Sequence, residues 1–345
     1  MSAVFNDAIS AETCDNCSEN YLLLKKSSSN VFGCGKVCQA IPLEVIRLLE
    51  ICWWTSPKRR HGYDFNSADM ESCFGLGNSI FSEYYPSSAF QTPLYPLLCV
   101  KPKETLNLIL RLLNYATDCY RTSKLERDYQ EIFEIEIKLS NEEIVKQACS
   151  DRLWKIYRGT SVAPKLLESA LMALEKWLLE VAENAKPETA IYFCKYLLKN
   201  SKTAAITSVV MSAVTAYPDK LFEISCILLK TKEIFVLDVS RLQQEHTANY
   251  FKGASASRKL YDDERIESNN LAFRKVQFEE ILINYQLKPG NLPEKAQKER
   301  LDRLYAAFDE STAEIDSWDL IFQYAYYRVD IRKHQIRPCL KNDKA

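Results

Sequence analysis

The sequence predicts a mainly α fold: α-solenoid-like stacked helix pairs carrying one short β-hairpin. Three observations lead there. Glycine is scarce, 8 of 345 residues, whereas β-rich and doubly wound folds use it in turns and phosphate loops. Apolar residues between Pro164 and Thr231 recur at helical spacing. Only one stretch, starting at Phe133, alternates with period two.

In chain order, the first helix opens at Pro42, a residue suited to a first helical position, and carries Leu43, Ile46, Leu49 and Trp53. Residues 55–100 read as a long irregular segment punctuated by Pro57, Pro86, Pro93 and Pro96. Phe81, Tyr84, Tyr85, Phe90 and Tyr95 make it too aromatic for disorder. Pro102 opens the next helix, with Leu106, Ile109, Leu110, Leu113 and Ala116 on one face. Phe133, Ile135, Ile137 and Leu139 alternate with Glu134, Glu136 and Lys138. A turn at Ser140-Asn141-Glu142 would return the chain through Ile144–Ala148. A lone hairpin is marginal in water, so it should lie against the helices.

Four helices follow, separated by Pro164, Pro187, Ser201 and Pro218. Their faces are Leu166/Ala170/Leu174/Trp177/Leu178/Val181, Ile191/Cys194/Tyr196/Leu197/Leu198, Ile206/Val209/Val210/Ala213/Val214 and Leu221/Ile224/Ile227/Leu228. Two helix pairs of about 30–40 residues match the period of α-solenoid repeats, and Ser201 is a candidate N-cap for the third helix. Glu175 falls opposite the Trp177 face and reads as exposed. Residues 232–265 are polar and read as a connector. Helices resume over about 270–287, 294–308 and 315–331, with Pro289-Gly290-Asn291-Leu292-Pro293 as a breaker. Pattern is lost after His334. The organisation is thus 1–60, a Cys-containing segment and helix; 61–150, an aromatic and Pro-rich loop, helix and hairpin; 151–235, HEAT-like helix pairs; and 236–345, connector and C-terminal helices.

Composition narrows function. Lys and Arg number 45 against 46 Asp and Glu, a formal net charge of −1, which argues against a surface devoted to nucleic acid. No secretory signal opens the chain and no run of about 18 apolar residues spans a membrane. The cytoplasm follows as the expected compartment, with free thiols; most of the 12 cysteines, such as Cys52, Cys119, Cys194 and Cys226, sit in apolar helical contexts.

Two local patterns carry candidate chemistry. Cys14, Cys17, Cys34 and Cys38 form C-x2-C-x16-C-x3-C, close to the spacing in which four thiolates close a structural zinc site. Four reduced cysteines in a Cys-rich chain is the other reading. Lys58, Arg59 and Arg60, followed by His61 and Tyr63, form the sharpest basic cluster. Such a cluster can hold phosphate beside a stacked base, or stand as a solvated loop.

Other patterns fail their motifs. Gly35-Lys36 lacks a phosphate loop around it, since Asn30 stands where the first glycine belongs and Val37 where the hydroxyl belongs. His61, His246 and His334 are far apart with no metal spacing. Asp238, Arg241 and Glu245 fall at helical spacing as an intrahelical charge ladder. Leu153–Gly159 reads as an aromatic core anchor closed by a glycine C-cap.

Taken in order, Tyr85-Pro86-Ser87-Ser88-Ala89-Phe90-Gln91-Thr92-Pro93, Leu153–Gly159, Leu174–Leu178, Ala213–Pro218 and Tyr327–Arg332 resemble the helical region of large bacterial antiphage P-loop ATPases of the STAND or AVAST-like group. In that group an NTPase module drives oligomerisation and a helical region senses a partner protein. The resemblance implies a scaffold that binds a protein partner, detached from its ATPase module. With no Walker A lysine, ATP binding carries over to no residue here. The sequence therefore points to a non-catalytic interaction module, with a nucleic-acid-associated protein holding a small zinc site as the alternative.

Overall fold

The structure, a computed structural model, describes residues 31–54, 69–76, 84–123, 125–126, 132–159, 162–247, 258–288 and 292–334. Helices dominate these residues and one antiparallel hairpin joins them. The first helices are α1 (Val31–Ala40), α2 (Pro42–Trp53) and the short α3 (Asp69–Cys73). Pro42 begins α2, where its missing N–H costs nothing, and Val45, Ile46, Leu48, Leu49 and Trp53 are buried. The indole of Trp53 donates to the Tyr84 hydroxyl at 2.8 Å.

The described part of the Pro-rich segment is ordered, as its aromatic residues predict, and is helical at its end rather than irregular throughout. Residues 84–93 form a loop that is buried except at Tyr85 and Phe90, with a cis Tyr85–Pro86 peptide. Leu94–Val100 then forms α4. Its Pro96 is harmless because it lies in the first turn, where backbone N–H groups have no intrahelical acceptor. Pro102 opens α5 (Pro102–Ser123), and the whole expected face is buried, extended by Tyr120.

Strands β1 (Phe133–Lys138) and β2 (Ile144–Cys149) pair antiparallel, with Ile135 opposite Gln147 and Ile137 opposite Val145. Ile135 and Ile137 face the core, while Glu134 and Glu136 face out and share Lys146 across the strands at 3.1 and 3.4 Å. The hairpin is tied to the helices, as a lone one must be. Ala148 N–H donates to the Lys202 carbonyl at 2.8 Å, and the Thr231 hydroxyl to the Glu136 carbonyl at 2.8 Å.

After α6 (Asp151–Lys155) come the stacked pairs: α7 (Lys165–Asn184) with α8 (Pro187–Asn200), and α9 (Ala204–Ala216) with α10 (Phe222–Leu229). Their short connections turn each helix back on its predecessor, and α7 also packs on α9. The N-cap of α9 is Thr203, whose hydroxyl accepts from Ala205 N–H at 3.4 Å. Ser201 stands two residues earlier and bonds both backbone groups of Thr203 instead.

The stack is not left open on its sides. Residues 204–215 of α9 are buried without interruption, and so are residues 166–175 of α7. A helix apolar or buried all round is a central one. The covering elements include two that the polar 232–265 stretch conceals: α11 (Glu233–Thr247) and α12 (Lys259–Asn269). A 3-10 turn at Ala272–Lys275, α13 (Phe278–Leu287), α14 (Glu294–Ala313) and α15 (Leu320–Val329) complete the fold. The last helix is shorter than expected, because Asp316 and Ser317 turn the chain before it and Asp330 ends it in a 3-10 turn over Ile331–Lys333.

Candidate functional site

Two groups of buried charges meet on α7. The first lies at its N-terminus. Glu168 is fully buried, accepts from Lys165 Nζ at 2.9 and 3.0 Å, and takes the Ser87 hydroxyl. Ser88 Oγ and Ala89 N–H donate to Glu264 of α12 at 2.5 and 3.1 Å. Arg265 reaches the carbonyls of Ser87 and Gly159, each at 3.4 Å. Glu71 of α3 is buried here too, and among the described residues neither of its oxygens has a hydrogen-bond partner. Burial raises the Glu71 carboxyl above its ordinary value; the backbone N–H groups of Glu71 and Lys165, which lie near it but outside hydrogen-bond geometry, and then the charge of Lys165 offset this only in part. Burial also raises Glu168, opposed by Lys165 and by the Ser87 hydroxyl.

The second group is a set of three ion pairs. Arg274 grips Glu175, Arg158 grips Glu245 and Arg241 grips Asp238. Arg158 also donates to Asn269 Oδ1 at 2.7 Å. Arg241 donates to the carbonyls of Arg274 and Val276 at 2.7 Å, and Asp238 accepts Phe278 N–H at 2.8 Å. The ladder expected on α11 therefore exists only between Asp238 and Arg241, and it is buried. Glu245 turns to Arg158 across the fold. Each charge has an opposite partner, and all but Glu245, which Arg158 holds with two bonds, have further hydrogen bonds, the condition under which ions persist in an interior.

Chemically, carboxyls raised by burial can serve as general acids if substrate comes within about 2.6–3.2 Å. Glu71 and Glu168 have no exposed surface. What the two groups visibly do is fasten the 84–93 loop, α7, α11, α12 and the Ala272–Lys275 turn to one another.

A contrasting feature lies on the surface. Leu320, Tyr324 and Tyr327 recur at helical spacing on the outer face of α15 and are 70%, 62% and 49% exposed. Ile321, 71% exposed, and Trp318, 88% exposed, extend the stripe. The inner face of the same helix is already filled by Ala325, Tyr326 and Val329. Sequence periodicity missed this stripe because Leu320–Tyr327 is apolar at nearly every position. That absence of a polar face was the available signal, since such a helix is either enclosed or covered by something else.

The residues singled out from sequence fall elsewhere. Cys14, Cys17, Lys58, Arg59 and Arg60 lie outside the described residues. Cys34 and Cys38 fall four residues apart on α1, where Cys38 is buried in the core, and Gly35 and Lys36 are part of the same helix. Among the described residues no group of three His, Cys, Asp or Glu side chains is placed to hold a metal. None of their helices is long and apolar enough to cross a membrane. Gly159 does close the aromatic anchor, with φ +59°, above fully buried Trp154 and Tyr157. No known protein family matches the chain, and no curated protein matches it.

Proposed function

We propose that this protein is a non-catalytic helical scaffold that engages a protein partner through the outer face of α15. The exposed stripe of Trp318, Leu320, Ile321, Tyr324 and Tyr327 carries the reading. Contiguous apolar surface on a folded chain costs solubility, and aromatic residues are what protein interfaces concentrate. The sealed ion pairs support it from the other side: they hold the helices to a fixed shape and are spent on their own chain. The resemblance to antiphage ATPases suits the same role, with this chain as a sensing region and nucleotide chemistry residing elsewhere. Cys149 and Cys194, buried as small apolar side chains, support a cytoplasmic setting.

The test places a photo-activated cross-linking residue at Tyr324 and, as a control, at Tyr192, a tyrosine of similar exposure on α8. In the cells that make the protein, Tyr324 should give discrete protein adducts that Tyr192 does not. No adducts from Tyr324, or identical patterns from both, overturn the proposal.

A further inference from the structure

We infer that the occupant of the α15 stripe is a second copy of this chain, lying antiparallel across a two-fold axis at Tyr324. This rests on the reading of the stripe as a protein-binding surface and names its partner.

Charge distribution carries the argument. The stripe is flanked by Glu314, Asp316 and Asp319 before the helix and by Arg328, Arg332 and Lys333 at its end and beyond. Most of these are already neutralised within the chain. Glu314 meets Lys138, Asp319 meets Lys232, Arg328 meets Glu279, and Arg332 meets Asp309 and Asp330. Among the described residues two are in no salt bridge: Asp316, whose carboxylate accepts only Ser317 Oγ and Trp318 N–H, and Lys333, which acts on Asp309 without contact. They stand equally far, in residues, from the point between Tyr324 and Ala325. An antiparallel copy centred there sets each Asp316 near the other chain's Lys333, on both sides of the axis at once.

Side-chain pairing follows the same symmetry. Tyr324 lies within one residue of its own copy at the axis, and of the exposed stripe residues Ile321 of the second copy falls nearest to Tyr327. The interface is isologous, the commonest closed form of a homodimer. A helix of uniform charge would meet one matched and one opposed end. An anionic lipid surface would meet Asp316 beside Trp318, the most exposed residue of the stripe.

Sedimentation equilibrium of the full chain over a wide concentration range tests this. The mass should rise from 39.8 kDa towards twice that value. Tyr324→Arg should leave a monomer with an unchanged helical circular dichroism spectrum. Asp316→Lys and Lys333→Asp should each weaken the dimer about tenfold, and the double reversal should recover most of that loss.

A chain that stays monomeric at every concentration overturns the dimer, and so does a double reversal no better than either single change. The cross-link at Tyr324 then separates the two ideas. Adducts only with other proteins keep the docking surface and reject self-association, whereas no adducts reject both. Co-sedimentation with anionic vesicles that is lost in Tyr324→Arg would assign the stripe to a membrane and overturn the proposal.

Discussion

The guanidinium of Arg274 lies against the carboxylate of Glu175, with Nη1–Oε1 at 2.5 Å and Nη2–Oε2 at 2.8 Å, and both side chains are almost wholly shut off from water. A bidentate pair of this kind is directional as well as charged. It joins the middle of α7 to the turn that follows α12, and Ser212 of α9 donates to the same carboxylate.

Removing Glu175 should therefore be costly, not neutral as a surface position would be. Glu175→Ala leaves Arg274 buried without its counter-ion and should lose about 3–5 kcal/mol in a denaturant melt. Replacing both partners by apolar residues, Glu175→Leu with Arg274→Met, should cost less than Glu175→Leu alone, because no charge is left stranded. Acid should expose the same pair. Burial pushes the Glu175 carboxyl up, but the charge and hydrogen bonds of Arg274, with help from Arg158 and Ser212, outweigh it and hold it below its ordinary value. Its contribution is present above the ordinary carboxylate range and is lost as pH falls through the depressed value. A parent chain whose acid sensitivity matches that of Glu175→Leu/Arg274→Met would show that the pair adds nothing.

Trp177 anchors α7 on the opposite side. It is 5% exposed and meets Phe193 of α8 edge-to-face, with ring centroids 5.0 Å apart. Trp177→Ala should cost about 3–5 kcal/mol through lost burial and the cavity left behind. Glu183→Ala, an exposed change near the end of the same helix, should stay within about 0.5 kcal/mol. Equal losses for the two would mean that the α7–α8 contact is not a core contact.

How far the sequence discloses this fold depends on which interactions leave a period. Proline marks the starts of α2, α5 and α8, and alternation marks β1, because each acts within a few residues. The faces of α7, α9 and α10 are legible for the same reason. Glu175 is not, since the residue that makes its burial tolerable, Arg274, lies far along the chain. Nor are α11 and α12, whose polar residues look solvated to any pattern rule yet are consumed inside the fold, Asp238, Arg241 and Glu245 in buried ion pairs and Arg265 on the carbonyls of Ser87 and Gly159. Their charges imitate a connector. The α15 stripe is hidden for the converse reason: both faces are apolar, so no period separates the filled face from the open one.

Glu71 should respond to pH in the sense opposite to Glu175. Burial raises its carboxyl, so the native chain keeps that proton to higher pH than the unfolded chain does. Stability assigned to this group is complete below the ordinary carboxylate value and is lost as pH rises through the raised one. Glu71→Gln removes the titration while keeping the shape. The variant should gain on the parent as pH rises from 4 to 8, measured as the difference between paired denaturant melts at about one-unit intervals. Glu233 is also raised by burial and remains in both chains; Glu168, raised too and within electrostatic reach of Glu71, is controlled by repeating the paired melts in a Glu168→Gln background. A constant difference across this range would show that Glu71 titrates in the native state as it does in the unfolded chain.

Gly159 couples backbone conformation to the first buried cluster. Its φ of +59° lies in the left-handed region, where a side chain costs about 1–2 kcal/mol. A Cβ there would also intrude on Arg265 Nη1 and Met172 Cε, well inside van der Waals contact. Those two atoms belong to flexible side chains, but both residues are buried, and Arg265 is held by the carbonyls of Ser87 and Gly159. Two substitutions separate the effects. Asparagine tolerates the left-handed region better than alanine but is larger. If backbone strain governs, Gly159→Asn is milder than Gly159→Ala; if the close approach governs, it is worse. The enclosed position of Arg265 favours the second outcome: both variants should lose stability, with Gly159→Asn losing at least as much. Denaturant melts of the two would decide, and a distinctly milder asparagine variant would show that Arg265 and Met172 can move aside at little cost.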